Sequence, residues 1–157
     1  LCERALSRTT QGELLARKQV TQEKIADSFI ELLQFKLQVL HAAWVVDQKG
    51  GHAARKEIAA VKVATPKVYR VAVLRTMQLH GALGVSNEMP LANMLMASVT
   101  MGIADGPTEV HKFTVAREVL KDYSPAEGDW PSEHLPERRA AARAEFADLL
   151  ERSVSDY

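Results

Sequence analysis

A carboxylate at the start of a predicted helix is the first feature of the sequence that could do chemistry. In the segment Ala104 to Glu109 (ADGPTE), Asp105 precedes Gly106-Pro107-Thr108. The first backbone N–H groups of a helix have no partners within it, so they suit an anion or a polar ring, and Asp105 lies beside them as a potential base. The same residues also describe a plain helix start, with Asp105 as its N-cap and Pro107 in the first turn. Taken alone, the plain helix start is the stronger interpretation.

A second candidate segment runs from Gln78 to Gly84 (QLHGALG). Its small residues would let a ligand approach the backbone closely, and the Gln78 amide can both donate and accept hydrogen bonds. Read by itself, the segment is also typical of the C-terminal cap of a helix.

Several other kinds of site are disfavoured. Helical bundles hold metal ions through Glu-x-x-His pairs, whereas Glu109-Val110-His111 and Glu133-His134 place their side chains on different faces, so we predict no metal. The single cysteine, Cys2, excludes an internal disulfide and a cysteine-cluster site. The net charge is +0, which favours no nucleic-acid partner. No apolar run approaches the ~18 residues of a membrane span, so none is predicted.

The remaining sequence predicts the helices that position these segments. Apolar residues recur at steps of three and four between Glu23 and Asp47, which indicates one long helix ending at Gly50-Gly51. That stripe consists of Ile25, Phe29, Leu32, Leu33, Leu37, Leu40 and Trp44. A second long helix is predicted over 52–80, with a kink or a restart at Pro66. Shorter helices follow over 91–101 and from the Asp105 segment to about Asp122.

The two ends of the chain differ from this pattern. The opening 1–17 resembles the end of a helix followed by a turn near Gly12, with no alternating strand pattern, and we interpret it as a truncated or processed start. Residues 124–132 have the composition of a linker, and 136–154 have helix propensity with an apolar stripe of Phe146, Leu149 and Leu150. We therefore predict an all-α protein: an up-down four-helix bundle over 1–123, then a linker and an extra C-terminal helix over 124–157.

The order and spacing of the segments resemble the C-terminal helical domain of the acyl-CoA dehydrogenase family. The matching motifs are Arg8-Thr9-Thr10-Gln11-Gly12 with Gln19, then Gln78 to Gly84, Ala104 to Pro107, and Ala116-Arg117-Glu118. The strings Pro90-Leu91-Ala92-Asn93-Met94 and ADGPTEVH are most similar to the branch typified by human family members ten and eleven. The resemblance covers about Leu1 to Tyr123.

The resemblance implies an FAD-dependent enzyme that oxidises a fatty acyl-CoA to the trans-2-enoyl-CoA. A carboxylate takes the α-proton while hydride passes to flavin N5. Asp105 falls at the catalytic base, which is usually Glu in the family and Asp in the ADGP branch, and Gly106 falls beside the thioester. The implied FAD-binding positions are Arg8, Gln19, Gln78, Leu79, His80, Gly81, Ala82, Pro107, Thr108 and Glu109.

The resemblance also implies partners: acyl-CoA, an electron-transfer acceptor, and a homodimer or homotetramer whose subunits share the FAD site. We expect a cytoplasmic protein, or one of the mitochondrial or peroxisomal matrix in a eukaryote. The 157-residue chain by itself is expected to be inactive, because most flavin and CoA contacts lie in other domains of the family. Two alternatives stay open: a flavin oxidase or monooxygenase on the same scaffold, and a non-catalytic oligomerisation subunit of a mixed assembly.

Overall fold

The computed structural model describes residues 1–128, 134–149 and 151. The chain forms two compact units, Leu1–Val119 and Leu120–Tyr157. In order, the elements are α1 (Cys2–Ser7), β1 (Thr9–Thr10), β2 (Glu13–Leu14), α2 (Gln19–Ala53), α3 (Arg55–His80), α4 (Leu91–Thr100), α5 (Thr108–Leu120) and α6 (Leu135–Glu145). The prediction of an all-α protein is confirmed.

Two long helices, α2 and α3, pack side by side in antiparallel directions. The connection contains Gly50, whose φ of 79° interrupts the helical backbone where the sequence predicted a stop. An ion pair joins the helices near their other ends: Arg75 Nη1 lies 2.6 Å from Glu31 Oε2, and Arg75 Nη2 lies 3.3 Å from Asp27 Oδ2. Together these contacts place the N-terminus of α2 beside the C-terminus of α3.

Pro66 lies buried inside α3, which runs unbroken from Arg55 to His80. The predicted restart at Pro66 is therefore wrong, because packing of the helix outweighs the loss of one backbone hydrogen bond. Helix α4 returns along α3 in the opposite direction and completes an up-down arrangement with α2. Helix α5 follows the Asp105 segment, and none of its residues is buried.

A small hairpin near the N-terminus was missed by the sequence. Strands β1 and β2 pair antiparallel, with Thr9 opposite Leu14 and Thr10 opposite Glu13. The turn between them places Gln11 (φ 52°) and Gly12 (φ 75°) in the left-handed region, which confirms the predicted turn near Gly12. Strands of two residues are too short to show alternation, so the sequence contained no strand signal.

The predicted apolar stripe of α2 faces outward. Phe29, Leu37 and Trp44 are 68%, 58% and 56% exposed, whereas the buried residues of this helix are Thr21, Ser28, Ala42 and Val45. By length and composition α2 also meets a criterion for a membrane span, with a mean hydropathy of 1.3 over 18 residues. The stripe predicted correctly that one side of α2 is apolar, but that side does not form the core of this unit.

The second unit contains α6, which begins where the sequence predicted a tail helix. The side chains of Phe146 and Leu149 are exposed. Leu150 and residues 152–154 of the predicted tail helix, together with residues 129–132 of the predicted linker, lie outside the described residues.

Candidate functional site

The turn between α4 and α5 carries Asp105 in a left-handed conformation. Asp105 has a φ of 53° and Gly106 a φ of 100°. A non-glycine residue at such an angle is strained by roughly 1–2 kcal/mol, although Asp tolerates it better than most residues. The surrounding contacts must therefore hold this turn in place.

Three side chains hold it. Thr108 closes the turn, since its backbone N and its Oγ1 both donate to the carbonyl of Gly102, at 3.0 and 3.1 Å. Lys62 Nζ, from α3, donates to the carbonyl of Met101 at 2.7 Å. His111 Nε2 lies 3.1 Å from the carbonyl of Asp105. Because a carbonyl only accepts, we assign the hydrogen to His111 Nε2.

The structure corrects the interpretation of Asp105 as a helix cap. The carbonyl of Pro107 accepts from the backbone N of Val110 at 3.0 Å and of His111 at 3.4 Å. Pro107 therefore occupies the N-cap position, directly before Thr108, and Asp105 lies two residues further back. Asp105 is exposed, so its carboxylate faces outward from the turn. The interpretation of Asp105 as an N-cap, which was the stronger one for this segment taken alone, is therefore wrong.

A second group of residues meets at the C-terminus of α3. Arg8, which follows α1, donates through Nη1 to the carbonyl of Leu79 at 2.5 Å. Gly81 ends the helix with a φ of 66°, and a Cβ built there would lie 3.0 Å from Arg8 Nη2. The interpretation of the 78–84 segment as the cap of α3 is therefore confirmed. The segment also receives the guanidinium of Arg8, and the approach of a ligand to its backbone stays a prediction.

Gly84 allows the chain to fold back after Gly81. It is buried in the short 3-10 helix Gly81–Val85, and a Cβ there would lie 2.6 Å from the carbonyl oxygen of Met77. That distance is shorter than any ordinary contact, and the obstacle is backbone. The last glycine of the motif is thus required by close packing against α3.

Two cavities flank the Gln78 side chain. One, of about 320 Å³, is lined by Arg8, Thr10, Leu15, Lys18, Val20, Thr21, Lys24, Gln78 and Leu79. The other, of about 400 Å³, is lined by Leu74, Met77, Gln78, Gly81, Ala82 and Val85. The first, which we call the Arg8 cavity, joins residues from the hairpin, α2 and α3, so the structure brings together Arg8, Gln78 and Leu79 as the sequence predicted for one site.

The other predicted cofactor residues are placed less directly. Gln19 is exposed at the start of α2, between the cavity residues Lys18 and Val20. His80 Nδ1 lies 2.8 Å from the carbonyl of Thr76 in its own helix. Pro107 and Glu109 are exposed beside the Asp105 turn, with Thr108 bonded to Gly102. Their contacts with a cofactor stay predictions.

Sequence reasoning missed Lys18 and Lys24 in the Arg8 cavity. Their spacing alone gives no signal, because Lys18 precedes α2 and Lys24 follows one and a half turns later. Lys62 and His111 were missed at the Asp105 turn. The sequence disfavours His111 as a metal ligand and gives it no other role, whereas the structure places its ring against the carbonyl of Asp105.

The Leu1–Val119 unit is a helical bundle with one short hairpin, and comparisons identify its family. The family model "Acyl-CoA dehydrogenase, C-terminal domain" matches residues 1–120. The chain therefore belongs to the acyl-CoA dehydrogenase family. It is 43% identical over 122 residues to acyl-CoA dehydrogenase family member 11 of Rattus norvegicus, covering 78% of this chain and 16% of that protein. This relative belongs to the branch that the ADGPTEVH string indicated.

Solved structures show the same fold. One assigned to an acyl-CoA dehydrogenase of Mycobacterium abscessus is 39% identical with a TM-score of 0.75, covering 78% of this chain and 30% of that one. The FAD complex of PigA is 24% identical with a TM-score of 0.70, covering 78% and 31%. The chain thus spans less than a third of the length of each of these relatives.

Proposed function

We propose that this chain is the C-terminal domain of an FAD-dependent acyl-CoA dehydrogenase that converts a fatty acyl-CoA to the trans-2-enoyl-CoA. The observation that carries the proposal is the Asp105 turn, in which Asp105 is exposed and caps no helix. Thr108, Lys62 and His111 hold the backbone of this turn through the carbonyls of Gly102, Met101 and Asp105. In a family of acyl-CoA dehydrogenases, a carboxylate fixed in this way suits a general base.

The residues present fit FAD. Arg8, Lys18 and Lys24 supply cationic donors for a diphosphate, and the Gln78 amide supplies a donor and an acceptor for polar ring or ribose atoms. Gly81 leaves room for the Arg8 guanidinium, which a larger residue would crowd. Bound FAD would supply the acceptor for the hydride from the β-carbon.

In this proposal Asp105 takes the proton from the α-carbon of the thioester. Asp105 is exposed, and Gly106 follows it directly in the left-handed turn. The ties to Gly102, Met101 and the carbonyl of Asp105 limit the movement of the turn. A base held at fixed reach from its substrate needs less reorganisation during proton transfer.

The apolar side of α2 supports a role inside a larger assembly. Phe29, Leu37 and Trp44 expose large apolar side chains on one helix, and contiguous surfaces of this kind are usually covered by protein. We propose that other domains or a second subunit cover this side. The FAD site would then be completed by groups outside this chain, and the 157-residue chain alone would be inactive.

The test is Asp105→Asn in the full-length flavoenzyme. Under anaerobic conditions, stopped-flow absorbance near 450 nm follows flavin reduction by acyl-CoA. The rate should fall roughly 10²–10⁴-fold, the usual contribution of a general base, while FAD content is unchanged. Asp105→Glu should retain part of the rate, because it keeps the carboxylate.

Asp47→Asn is the matched control, since Asp47 is an exposed carboxylate on α2. A normal rate in Asp105→Asn would overturn the assignment of the base. Rapid reoxidation of the reduced flavin by oxygen would favour the oxidase or monooxygenase alternative. Absence of a flavin spectrum from the purified full-length protein would favour the non-catalytic subunit.

A further inference from the structure

Arg4, on α1, carries a buried polar atom that has no partner. The residue is half-buried and lies on the inner face of the helix, which it shares with Leu1, Ala5 and Arg8. Its Nε atom is buried, and no described residue accepts a hydrogen bond from it. The ion pairs of the described residues do not include the Arg4 guanidinium either. The proposed chemistry gives this side chain no role.

The contrast with Arg8, one helical turn later, shows what Arg4 lacks. Arg8 Nη1 donates to the carbonyl of Leu79, so that guanidinium has an acceptor within the chain. The carboxylates nearest to Arg4 along the sequence, Glu3 and Glu13, are exposed and form no described ion pair with it. A buried N–H without an acceptor destabilises a fold, and more so when the group is charged. We therefore look for the acceptor outside this chain.

The identity of the buried atom indicates the chemistry of the acceptor. The guanidinium is planar, has five N–H donors and no acceptor, and Nε–H lies beside one Nη–H on the same edge. Two oxygens of one planar group can accept from both hydrogens at once. A carboxylate has this geometry, whereas a single backbone carbonyl satisfies only one of the two donors.

The surface next to Arg4 indicates that the carboxylate belongs to a protein. Arg4 lines neither of the two cavities beside Gln78. Leu1, three residues before Arg4 and therefore its neighbour on the helix, lines a different cavity of about 620 Å³. The wall of this cavity is mainly apolar and includes Ile25, Phe29 and Leu32. An apolar surface beside an arginine is typical of the buried centre of a protein–protein interface.

We propose that Arg4 anchors an interdomain ion pair, in which a carboxylate on another domain of the longer polypeptide accepts from Arg4 Nε and one Nη. The inference rests on the proposed function, in which this chain is one domain of a larger flavoenzyme. The lengths of its relatives agree, since the chain covers 16% of the rat protein and 30% of the Mycobacterium abscessus chain. The ion pair holds α1 against that other domain.

The test is Arg4→Met, compared in the full-length flavoenzyme and in the 157-residue chain. Hydrogen exchange of the backbone amides of residues 1–8 is followed by mass spectrometry, which reports the local opening of α1. In the full-length protein the exchange should become about tenfold faster, because a charge-assisted pair of hydrogen bonds is lost. In the 157-residue chain the exchange should stay the same or become slower, because the substitution removes an unpaired buried donor.

Arg17→Met is the matched control, because Arg17 is an exposed arginine of the same N-terminal segment. It should leave the exchange of α1 unchanged in both proteins. Arg4→Lys keeps the charge but not the paired donors, so it should give an intermediate rate in the full-length protein. Equal acceleration by Arg4→Met in the full-length protein and in the chain would overturn the inference, since Arg4 would then act within this domain. Unchanged exchange in the full-length protein would also overturn it.

Two further measurements identify a different acceptor if there is one. An effect of Arg4→Met that appears with FAD bound and is absent from the apoprotein would assign the acceptor to the cofactor. An effect that disappears when the full-length protein is diluted to monomers would assign it to a second copy, and either result would overturn the interdomain pair. Failure of the proposed function is seen separately, as the absence of a flavin spectrum. The difference in exchange between the full-length protein and the chain would then still support the ion pair.

Discussion

The Arg8 cavity and the Asp105 turn are built in opposite ways. The cavity is closed by contacts between residues far apart in sequence, such as Arg8 with the carbonyl of Leu79. The turn is closed mainly within a few residues, by Thr108 with Gly102 and by His111 with Asp105. Lys62 adds a hydrogen bond from α3 to the carbonyl of Met101 in this turn.

This difference separates binding from chemistry in the proposed enzyme. The cavity depends on the packing of α2, α3 and the hairpin, so a substitution that disturbs this packing should weaken cofactor binding. The turn depends on backbone angles and nearby side chains, so a substitution there should first slow proton transfer to Asp105. Variants that destabilise one region and leave the other intact can test whether binding and proton transfer are separable in this way.

The largest expected effect comes from Gly84→Ala. The new Cβ would lie 2.6 Å from the carbonyl oxygen and 2.9 Å from the Cα of Met77, and neither backbone atom can move independently of α3. The free energy of unfolding should fall toward the upper end of roughly 1–3 kcal/mol, the usual cost of overpacking. Urea unfolding followed by circular dichroism measures the change.

Gly51→Ala is the control for this substitution, because a Cβ at Gly51 meets nothing within 4 Å. It should leave the stability nearly unchanged or raise it slightly. In the full-length protein, Gly84→Ala should weaken FAD binding more than it slows flavin reduction at saturating FAD. Equal stabilities of the two variants would show that the backbone relaxes at Gly84.

A smaller effect is expected at the turn, from Gly106→Ala. Its φ of 100° disfavours any L residue, and the new Cβ would lie 3.2 Å from His111 Nε2. We expect a loss of about 1–2 kcal/mol, with slower flavin reduction and unchanged FAD affinity. Unlike at Gly84, the obstacle is a side chain that can turn away.

His111→Ala tests that distinction in a double-mutant cycle measured by urea unfolding. Alone it should cost about 1 kcal/mol through loss of the hydrogen bond to Asp105. The double variant should cost less than the sum, because Gly106→Ala already displaces the ring. Strictly additive losses would mean that the ring and the Cβ do not compete.

The same contrast explains what the sequence could predict. The helices, the glycine stop at Gly50 and the left-handed turn at Gly12 follow from local patterns and were confirmed. The two-residue strands and the unbroken helix through Pro66 were not predicted, because packing between elements decides both.

Within the candidate site, the resemblance implied that Arg8, Gln78 and Leu79 bind one cofactor, but it assigned no role to Lys18, Lys24 or Lys62. Those lysines act only once α2 and α3 are packed, and no spacing along the chain encodes that packing. Asp105 shows the converse. Its neighbours predicted an N-cap, and only the hydrogen bonds to the carbonyl of Pro107 show that Pro107 takes that position.

The smallest expected effect lies between the two regions, at the ion pair that joins α2 to α3. The hydrogen bond from Arg75 holds the pKa of the Glu31 carboxyl below its usual 4.5. A lowered folded-state pKa means that the stabilisation is present above the unfolded pKa and is lost as the pH falls through the folded value. Because the Glu31 side chain is 39% exposed, Glu31→Gln should cost only about 0.5–1 kcal/mol at pH 7.

Urea unfolding at several pH values tests this contribution, with Glu23→Gln, an exposed carboxylate on the same helix, as control. The native chain and Glu31→Gln should differ at pH 7 and converge as the pH falls below the normal range of a glutamate. A gap that persists in acid would mean that Glu31 acts through packing rather than charge. Since the pair fixes α2 against α3, its loss should weaken phosphate binding at the Arg8 cavity while the Asp105 turn keeps its rate of proton transfer.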